Sequence, residues 1–317
     1  MIIVTGGAGF IGSNVVDELN RKNREDIVVV DDMTDGHKFS NLSDLSFADY
    51  LDKNEFRRAL DSNSRQFADL DYIIHLGACS DTTEWNGQYM MDNNYTYSKE
   101  VLNYSIANDI RLVYASSAAV YGLNTAFSEN PENEKPLNVY GYSKLLFDQY
   151  VRRLPDEARN QIVGLRYFNV YGPREAHKAK MASVFYHFNR QLLDSKQVRL
   201  FGASHSCADG AHQRDFIYVG DAVNVTLWMA EHGEVSGIYN CGTGRAATFN
   251  DVARAVIDYH QAGDIEYIAM PDTLRDAYQS YTCADLSNLR AVGYNAGFHD
   301  IKEGAQRYLD WLSAGST

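Results

Sequence analysis

The sequence is poor in cysteine and in positive charge. Only four cysteines occur in 317 residues, and none form a CxxC pair, so neither a metal site nor a disulfide framework is expected. We therefore predict reduced, mostly buried thiols. The formal net charge of -13 argues against general binding to nucleic acid or anionic membranes, both of which require a basic surface. It still permits a local basic pocket for a phosphorylated small molecule.

Long apolar runs are also missing. No segment approaches the length of a membrane span. The N-terminal "MIIVTGG" reads as a strand rather than as the basic, apolar and cleavage regions of a signal peptide. With 45% hydrophobic and 22% charged residues, the composition is typical of a soluble protein. We expect a cytoplasmic location.

The first half of the chain alternates short β-branched runs with longer segments of helical spacing. The runs cover 2–6, 26–32, 71–78, 111–117 and 161–168. Repeated strand–helix–strand units predict a parallel sheet covered on both faces. Two later runs, 214–223 and 237–244, are predicted to return to this sheet.

The second half is rich in loops, with helices predicted near 181–193, 248–260 and 299–312. We predict an α/β protein with a Rossmann-type, doubly wound parallel sheet and a smaller, discontinuous substrate domain. The nucleotide-binding part would comprise 1–170 plus about 214–244, and the substrate part 171–213 plus 245–317. The site is expected between them, at the carboxyl ends of the strands.

"TGGAGFIG" follows the first predicted strand and opens a helix. Gly6, Gly9 and Gly12 would let the backbone turn tightly and approach a pyrophosphate at the helix N-terminus. A glycine triplet alone is weak evidence, but Asp31 closes the next strand nineteen positions beyond Gly12. This context predicts a dinucleotide site.

The residues themselves leave NAD and NADP equally open. Asp31 would hydrogen-bond ribose hydroxyls and repel a 2′-phosphate, whereas Lys38 and Lys53 could neutralise one. Asn93, on the next helix, is predicted to brace the fifth strand, at 111–117. Further cofactor contacts are predicted where small residues end the fourth strand, at Leu76, Gly77, Ala78, Cys79 and Ser80.

"NVYGYSK" holds the candidate acid–base group. On a helix starting near 140, Tyr140 and Lys144 share a face, whereas Tyr142 points elsewhere and is expected to pack. A tyrosine acting as a base near neutrality needs its pKa lowered by roughly 3, or about 4 kcal/mol. One ammonium about 4 Å away at an effective dielectric near 20 supplies that much. Tyr140 is therefore the predicted catalyst.

"YASSAAVYG" supplies a third group. Ser116 and Ser117 end a predicted strand, where a hydroxyl can hydrogen-bond the oxygen of a substrate alcohol. Serine, tyrosine and lysine on a nucleotide-binding fold indicate hydride transfer, in which the tyrosine takes the alcohol proton.

These motifs, with "HLGA" and "RYFNVYGP", resemble the extended short-chain dehydrogenase/reductase family. The resemblance implies that Ser117 is the catalytic serine. Family members that dehydrate nucleotide sugars usually carry Asp-Glu after this residue, whereas this chain has Ala118 and Ala119. The pattern therefore excludes a 4,6-dehydratase and leaves epimerases and reductases.

Longer strings, such as "GACSDTTEWNGQYMMDNNYTYSKE" and "RYFNVYGPREAHKAKMASV", resemble the family's epimerases that act at C6 of an ADP-linked heptose, over essentially the whole chain. The resemblance implies inversion at C6 through a transient ketone, for lipopolysaccharide inner-core synthesis. It also implies tightly bound NADP and a homo-oligomer, with a pentamer among the assemblies of the family. Lys178 is implied as a second acid–base group opposite Tyr140, with Lys180 as its rival.

The resemblance also extends the site by position. For the cofactor it adds Phe10, Ile11, Asp32, Lys144, Val170 and Lys178. For the ADP-sugar it implies Asn169, Lys180, His187, Phe201, Gly202, Ala203, Ser204, Arg214 and Tyr278. Arg214 suits a diphosphate through its planar fork. Two features depart from the family pattern: Lys180 replaces a small hydroxyl residue, and the loop 202–213 is longer.

Two alternatives remain open. One is another nucleotide-sugar epimerase or reductase, such as a UDP-hexose 4-epimerase; a lysine at position 178 serving an exocyclic carbon favours the 6-epimerase. The other is a module that senses NADP without turnover. Such a module would tolerate loss of Tyr140 or Lys144, and the presence of both argues against it.

Overall fold

A computed structural model describes residues 1–62, 67, 69–159, 161–204, 207–271 and 279–315. The strands in chain order are β1 (Ile2–Thr5), β2 (Ile27–Asp31), β3 (Asp49–Asp52), β4 (Tyr72–His75), β5 (Arg111–Ser117), β6 (Ile162–Tyr167), β7 (Asn169–Tyr171), β8 (Gln197–Phe201), β9 (Gln213–Tyr218), β10 (Gly237–Cys241), β11 (Ala246–Thr248) and β12 (Asp264–Ile268). The helices are α1 (Phe10–Arg21), α2 (Lys53–Asp61), α3 (Gly87–Met90), α4 (Tyr97–Ala107), α5 (Val139–Arg152), α6 (Asp156–Arg159), α7 (Val184–Ser195), α8 (Val219–Glu231), α9 (Phe249–His260), α10 (Ser287–Ala291) and α11 (Ile301–Ser313).

Seven strands form one sheet, in the order β10, β6, β5, β4, β1, β2, β3. Every neighbouring pair in it is parallel. The central strands β1, β2 and β4 are buried along their whole length, which explains their continuous runs of Val and Ile. Separate apolar clusters cover the two faces of this sheet. The predicted doubly wound α/β fold is confirmed.

Two small sheets carry the five remaining strands. β9 lies between β11 and β7, and β12 pairs with β8. The helices α7, α9 and α11 pack around these strands and form a core of their own. Side-chain caps begin these helices: Ser183 caps α7, and Thr248 and Asp300 form reciprocal capping boxes with α9 and α11.

One strand prediction was wrong. The run 237–244 does join the large sheet, because β10 pairs in parallel with β6. The run 214–223 does not, since β9 pairs in parallel with β7 and antiparallel with β11. β10 occupies the edge beside β6, so β9 is left in a small sheet while α8, which follows it, packs on the large one. The domain division at 170, 214 and 244 otherwise stays a prediction.

The four cysteines are unpaired, as expected, but only Cys241 is buried; Cys79, Cys207 and Cys283 are partly exposed. Within the residue ranges given above, no helix is both long enough and apolar enough to span a bilayer.

Candidate active site

The glycine-rich turn between β1 and α1 leaves no room for side chains. Gly6 has a φ of 67°, and a Cβ there would lie 2.8 Å from the amide nitrogen of Gly77. A Cβ on Gly12 would overlap the Gly6 carbonyl. Gly9 is the N-cap of α1, and no side chain caps the helix. The first-turn amides, beginning at Phe10 and Ile11, thus need an acceptor from outside the helix.

Two aspartates and two lysines form a compact charged cluster at the carboxyl end of β2. Asp31 accepts the amide hydrogen of Ala8 at 2.8 Å, and its other oxygen lies 2.7 Å from Lys38 Nζ. Asp32 accepts from Lys53 Nζ at 2.9 Å. Both lysine side chains are mostly buried, at 19% and 18% exposure. The structure thus brings together the predicted residues, and Asp31 is already engaged by the turn.

The predicted bracing by Asn93 is wrong. Asn93 lies in a π-helical turn between α3 and α4, and its Oδ1 accepts from Lys53 Nζ at 3.0 Å. The next residue, Asn94, links the segment after β4 to α5: it bonds both the amide and the carbonyl of Cys79 and the hydroxyl of Ser143. The extra residue of the π turn sends the two asparagines to different neighbours, which helical periodicity does not reveal.

The segment Leu76, Gly77, Ala78, Cys79 and Ser80 directly follows β4. Its backbone is tied to β1, because the Gly77 amide donates to the Thr5 hydroxyl at 3.0 Å. The buried ring of His75 bridges Thr5 and Ser98, and burial lowers its pKa to about 3. A neutral histidine thus fixes this segment beside the glycine-rich turn.

Ser117, Tyr140 and Lys144 meet at the end of β5. Tyr140 is the second residue of α5, whose N-cap Asn138 accepts from the Gly141 amide at 2.8 Å. The Ser117 hydroxyl is close enough to hydrogen-bond the phenol. Lys144 Nζ donates to the carbonyl of Ala115 on β5 at 2.8 Å. Tyr140 and Lys144 thus lie one turn apart on α5, while the catalytic role of the three residues stays a prediction.

Ser116 and Tyr142 are the alternative serine and tyrosine in the two motifs. Ser116 is buried and donates to Asp148 at 2.9 Å, which leaves Ser117 as the serine at the site. Tyr142 does not pack, contrary to expectation; it is 48% exposed, because two residues along α5 turn it away from the face of Tyr140.

The electrostatics of Tyr140 differ from the expectation. Burial raises the pKa of the phenol, and the Ser117 hydrogen bond only partly opposes it. Lys144 is itself so buried that its pKa falls to about 8, against the opposing charge of Asp148. Its ammonium donates to the Ala115 carbonyl, and the net shift of the Tyr140 pKa is upward. The predicted lowering of the tyrosine pKa by lysine is therefore wrong.

Lys178 and Lys180 lie in a short 3-10 segment, Ala176–Met181, and their side chains contact different parts of the protein. Lys178 is half-buried, with its ammonium 5.2 Å from the centre of the Phe10 ring at the start of α1. Burial lowers its pKa, against the opposing charge of Glu175. Lys180 is 70% exposed and donates to the Thr83 hydroxyl at 3.0 Å. Only Lys178 thus reaches the glycine-rich turn.

Several of the predicted substrate residues lie on or beside the two small sheets. Asn169 and Val170 belong to β7, where they pair with Phe216 and Ile217 of β9; Arg214 is on β9 as well. Arg214 is buried, with its guanidinium 5.7 Å from the ring of Phe249. His187 is half-buried on α7.

Phe201 ends β8, and Gly202, Ala203 and Ser204 open the long loop that follows it. Asp209 accepts the Ala203 amide at 2.6 Å, and Gly210 donates to the Phe201 carbonyl at 3.0 Å. The described part of the loop thus folds back on β8. Tyr278 lies outside the described residues.

Sequence reasoning missed the residues that hold Lys178 in place. Arg174 makes a two-pronged ion pair with Asp44, at 2.8 and 2.7 Å. Asn41 contacts His177, which directly precedes Lys178, at 3.0 Å. The polar string "REAHKAK" was the only available signal, since the partners lie more than a hundred residues earlier.

These features fit a nicotinamide dinucleotide. The close-packed glycines leave backbone exposed for a pyrophosphate, and the charged cluster at β2 lies where an adenosine ribose belongs in this fold. The tyrosine, serine and lysine stand at the end of β5, where a nicotinamide and an alcohol could meet. The fold and site define a dinucleotide-binding protein equipped for acid–base chemistry on an alcohol.

Comparison with known proteins identifies the family. Residues 2–242 match the model of the NAD dependent epimerase/dehydratase family, and the chain belongs to that family. It is 58% identical over 310 residues to an ADP-L-glycero-D-manno-heptose-6-epimerase of Alkalilimnicola ehrlichii, covering 98% of this chain and 97% of the relative.

Solved structures agree in fold. The ADP-L-glycero-D-manno-heptose-6-epimerase of Helicobacter pylori is similar with a TM-score of 0.84 and 30% identity, covering 99% of this chain and 96% of that one. A UDP-N-acetylglucosamine 4-epimerase of Methanobrevibacter ruminantium is similar with a TM-score of 0.85 and 26% identity, covering 99% and 98% of the two chains.

Proposed function

We propose that the protein is an epimerase that inverts C6 of ADP-D-glycero-D-manno-heptose to give ADP-L-glycero-D-manno-heptose. The 58% identical relative, matched over nearly its whole length, carries this activity in its name. The structural observation that supports the proposal is a pair of acid–base candidates at the ends of two strands, β5 and β1, which lie on either side of β4. Tyr140 stands beside Ser117 at the end of β5, and Lys178 stands beside Phe10 at the turn after β1.

Two such groups are what this reaction requires. The hydrogen on C6 is not adjacent to a carbonyl, so simple proton abstraction cannot invert the carbon. The chemistry that a bound nicotinamide dinucleotide would supply is removal of that hydrogen as a hydride, which leaves a ketone, and its return to the opposite face. The hydroxyl occupies a different place in each epimer, because the C6–C7 end turns about one bond between the two transfers. One base cannot serve both positions.

The chain's own groups divide this work. In one epimer Tyr140 takes the hydroxyl proton, while the Ser117 hydroxyl hydrogen-bonds the same oxygen. In the other epimer Lys178 takes the proton from the C6 hydroxyl, or returns it in the reverse direction. The lowered pKa of Lys178 increases the fraction of neutral amine that can act as a base. Lys144 donates to the Ala115 carbonyl in this structure; to stabilise the phenolate of Tyr140, its ammonium would have to move toward the phenol.

We further propose that the dinucleotide is NADP. Asp31 is engaged by the Ala8 amide and by Lys38, so it is poorly placed to receive ribose hydroxyls. Lys38 and Lys53 supply two ammonium groups at the same strand end. Extraction of the bound nucleotide and its mass identify it directly. Lys38→Ala with Lys53→Ala should weaken NADP binding far more than NAD binding, and equal losses would contradict the assignment.

The ADP-sugar is proposed to lie between the strand ends and the α7–β8 region. Arg214 would hold the diphosphate, with Asn169, His187 and the segment from Phe201 to Ser204 around it. The buried guanidinium of Arg214 suits a fixed, charge-assisted contact. Action as a homo-oligomer in the cytoplasm, in lipopolysaccharide inner-core synthesis, stays a prediction from the family resemblance.

The decisive experiment is incubation with ADP-D-glycero-D-manno-heptose and no added nicotinamide, followed by stereochemical analysis at C6. Substrate deuterated at C6 should give product that retains the deuterium, because the hydrogen returns from the same dinucleotide. Loss of the label to solvent, or no conversion by protein shown to hold a dinucleotide, would overturn the proposal. A UDP-hexose tested in parallel controls for the 4-epimerase alternative.

A further inference from the structure

Asn41 connects three segments that are far apart in sequence. It ends the 3-10 turn Gly36–Asn41, which carries Lys38, and it is only 3% exposed. Its side-chain nitrogen lies 3.0 Å from the carbonyl oxygen of Ala8 in the glycine-rich turn. The same nitrogen lies 3.0 Å from Nδ1 of His177. An amide NH2 group has two hydrogens, so Asn41 can donate to both acceptors at once.

This geometry fixes the chemical identity of each group. The Ala8 carbonyl can only accept, so the Asn41 atom facing it must be the nitrogen. His177 Nδ1 must then accept as well, which makes the ring neutral with its proton on Nε2. Burial lowers the pKa of His177, in keeping with a neutral ring.

Both ends of this bridge lead to functional groups. The amide of Ala8 donates to Asp31, which in turn holds Lys38. His177 directly precedes Lys178, whose own amide donates to the Glu175 carbonyl at 3.0 Å. A continuous line of contacts thus runs from the charged cluster at β2, through the glycine-rich turn, to the candidate second acid–base group.

A second tie runs parallel to the first. The buried guanidinium of Arg174 forms an ion pair with Asp44 through both of its terminal nitrogens. It also donates to the Asn41 carbonyl at 2.9 Å. The side chain of Asn14, on α1, donates to the Pro173 carbonyl at 3.0 Å. The segment that carries Lys178 is therefore anchored on the nucleotide-binding elements.

We propose that Asn41 is a positioning residue that ties the placement of Lys178 to the glycine-rich turn, so that a dinucleotide bound at the turn orders the second acid–base group. This inference rests on the proposed function for the role of Lys178. A ligand that fixes the turn and Lys38 also fixes Ala8 and Asn41, and through them His177. Coupling through such a contiguous network is typically worth 0.5–2 kcal/mol, or about 2- to 30-fold in rate.

The test compares Asn41→Ala, His177→Ala and the double variant with the wild type. Each single variant should retain NADP and lower kcat about tenfold, with the KM for ADP-heptose changed by less than about twofold. The double variant should be no slower than the slower single one, because both changes break the same line. Additive losses, or normal kcat in either single variant, would overturn the proposal.

Two further variants separate positioning from general damage. His177→Gln offers a side-chain oxygen to Asn41 and should recover part of the lost kcat. Ser40→Ala is the matched control in the same turn; among the described residues its hydroxyl bonds only the His37 carbonyl, at 3.0 Å, and its loss should leave kcat and the hydrogen exchange unchanged. If Asn41→Ala loses the dinucleotide, His177→Ala decides, because it leaves the contact between Asn41 and Ala8 in place.

A measurement without turnover keeps this test independent of the reaction. Hydrogen–deuterium exchange of the segment 174–182 should slow on addition of NADP in the wild type, and slow much less in His177→Ala. Equal slowing in both proteins would refute the positioning role even if the wild type proves inactive on ADP-heptose. Failure of the proposed function and failure of this inference are thus distinguishable.

Discussion

Lys144 should destabilise the folded protein in the absence of a dinucleotide. Its side chain is only 6% exposed, and burial lowers its pKa from 10.5 to about 8. That difference corresponds to about 3 kcal/mol of unfavourable free energy for the charged form at neutral pH. Lys144→Met keeps a similar length and removes the charge, but loses the hydrogen bond to Ala115, worth about 1 kcal/mol. The dinucleotide-free variant should therefore be about 2 kcal/mol more stable than the wild type at pH 7, although inactive.

The sign of this difference should reverse at high pH. Between about pH 8 and pH 10.5 the unfolded chain still holds the Lys144 proton and the folded chain has released it, so wild-type stability rises across this window. Above it the neutral amine keeps its hydrogen bond at no cost, and the variant becomes about 1 kcal/mol less stable than the wild type. Other titrating groups are common to both proteins and cancel in the comparison.

The assay is urea denaturation of the two dinucleotide-free proteins near pH 7 and pH 10, followed by circular dichroism. Lys302→Met, on the exposed face of α11, serves as the control for replacing a lysine by methionine. A Lys144→Met protein that is less stable than the wild type at pH 7, or a difference constant with pH, would refute the burial argument.

Three further changes test the site. Tyr140→Phe should lower kcat by about 10²- to 10⁴-fold while the dinucleotide stays bound, and near-normal turnover would remove Tyr140 as the acid–base group. Lys178→Met should lose most activity in the same assay with the dinucleotide retained; full activity would contradict the two-base scheme. Gly12→Ala should abolish dinucleotide retention, because its Cβ overlaps the Gly6 carbonyl, and a purified variant with full occupancy would refute that fit.

The local parts of the site could be predicted from the sequence. Strand β5 has the bounds that its β-branched run indicated, and the spacing of Tyr140 and Lys144 placed both on one face of α5. Such inferences need only the periodicity of a helix or strand. The glycine-rich turn belongs to the same class, since Gly6 and Gly12 are required by contacts within one short segment and its nearest strands.

The pairing of distant segments could not be predicted in this way. The sequence of β9 resembles a strand of the large sheet and leads into a helix, yet β10 takes the edge position of that sheet. The residues of β9 themselves give no sign that another strand will pair there. The predicted pKa shift of Tyr140 was wrong for a related reason. Spacing places a lysine near the phenol, but the carbonyl of Ala115 decides where the ammonium rests, and burial decides the direction of the pKa shift.

The backbone conformation between Lys178 and Lys180 decides which of the two lysines reaches the glycine-rich turn, a question that the sequence leaves open. Ala179 lies between them at φ 47° and ψ −118°, in a region that favours glycine and costs an alanine about 1–3 kcal/mol. The turn sends Lys178 inward to Phe10 and Lys180 outward to Thr83. Buried Glu175 holds the following chain by accepting the amide and hydroxyl of Ser183, both at 2.6 Å. The strain is thus maintained by contacts on both flanks of the segment, and it directs a single lysine toward the glycine-rich turn.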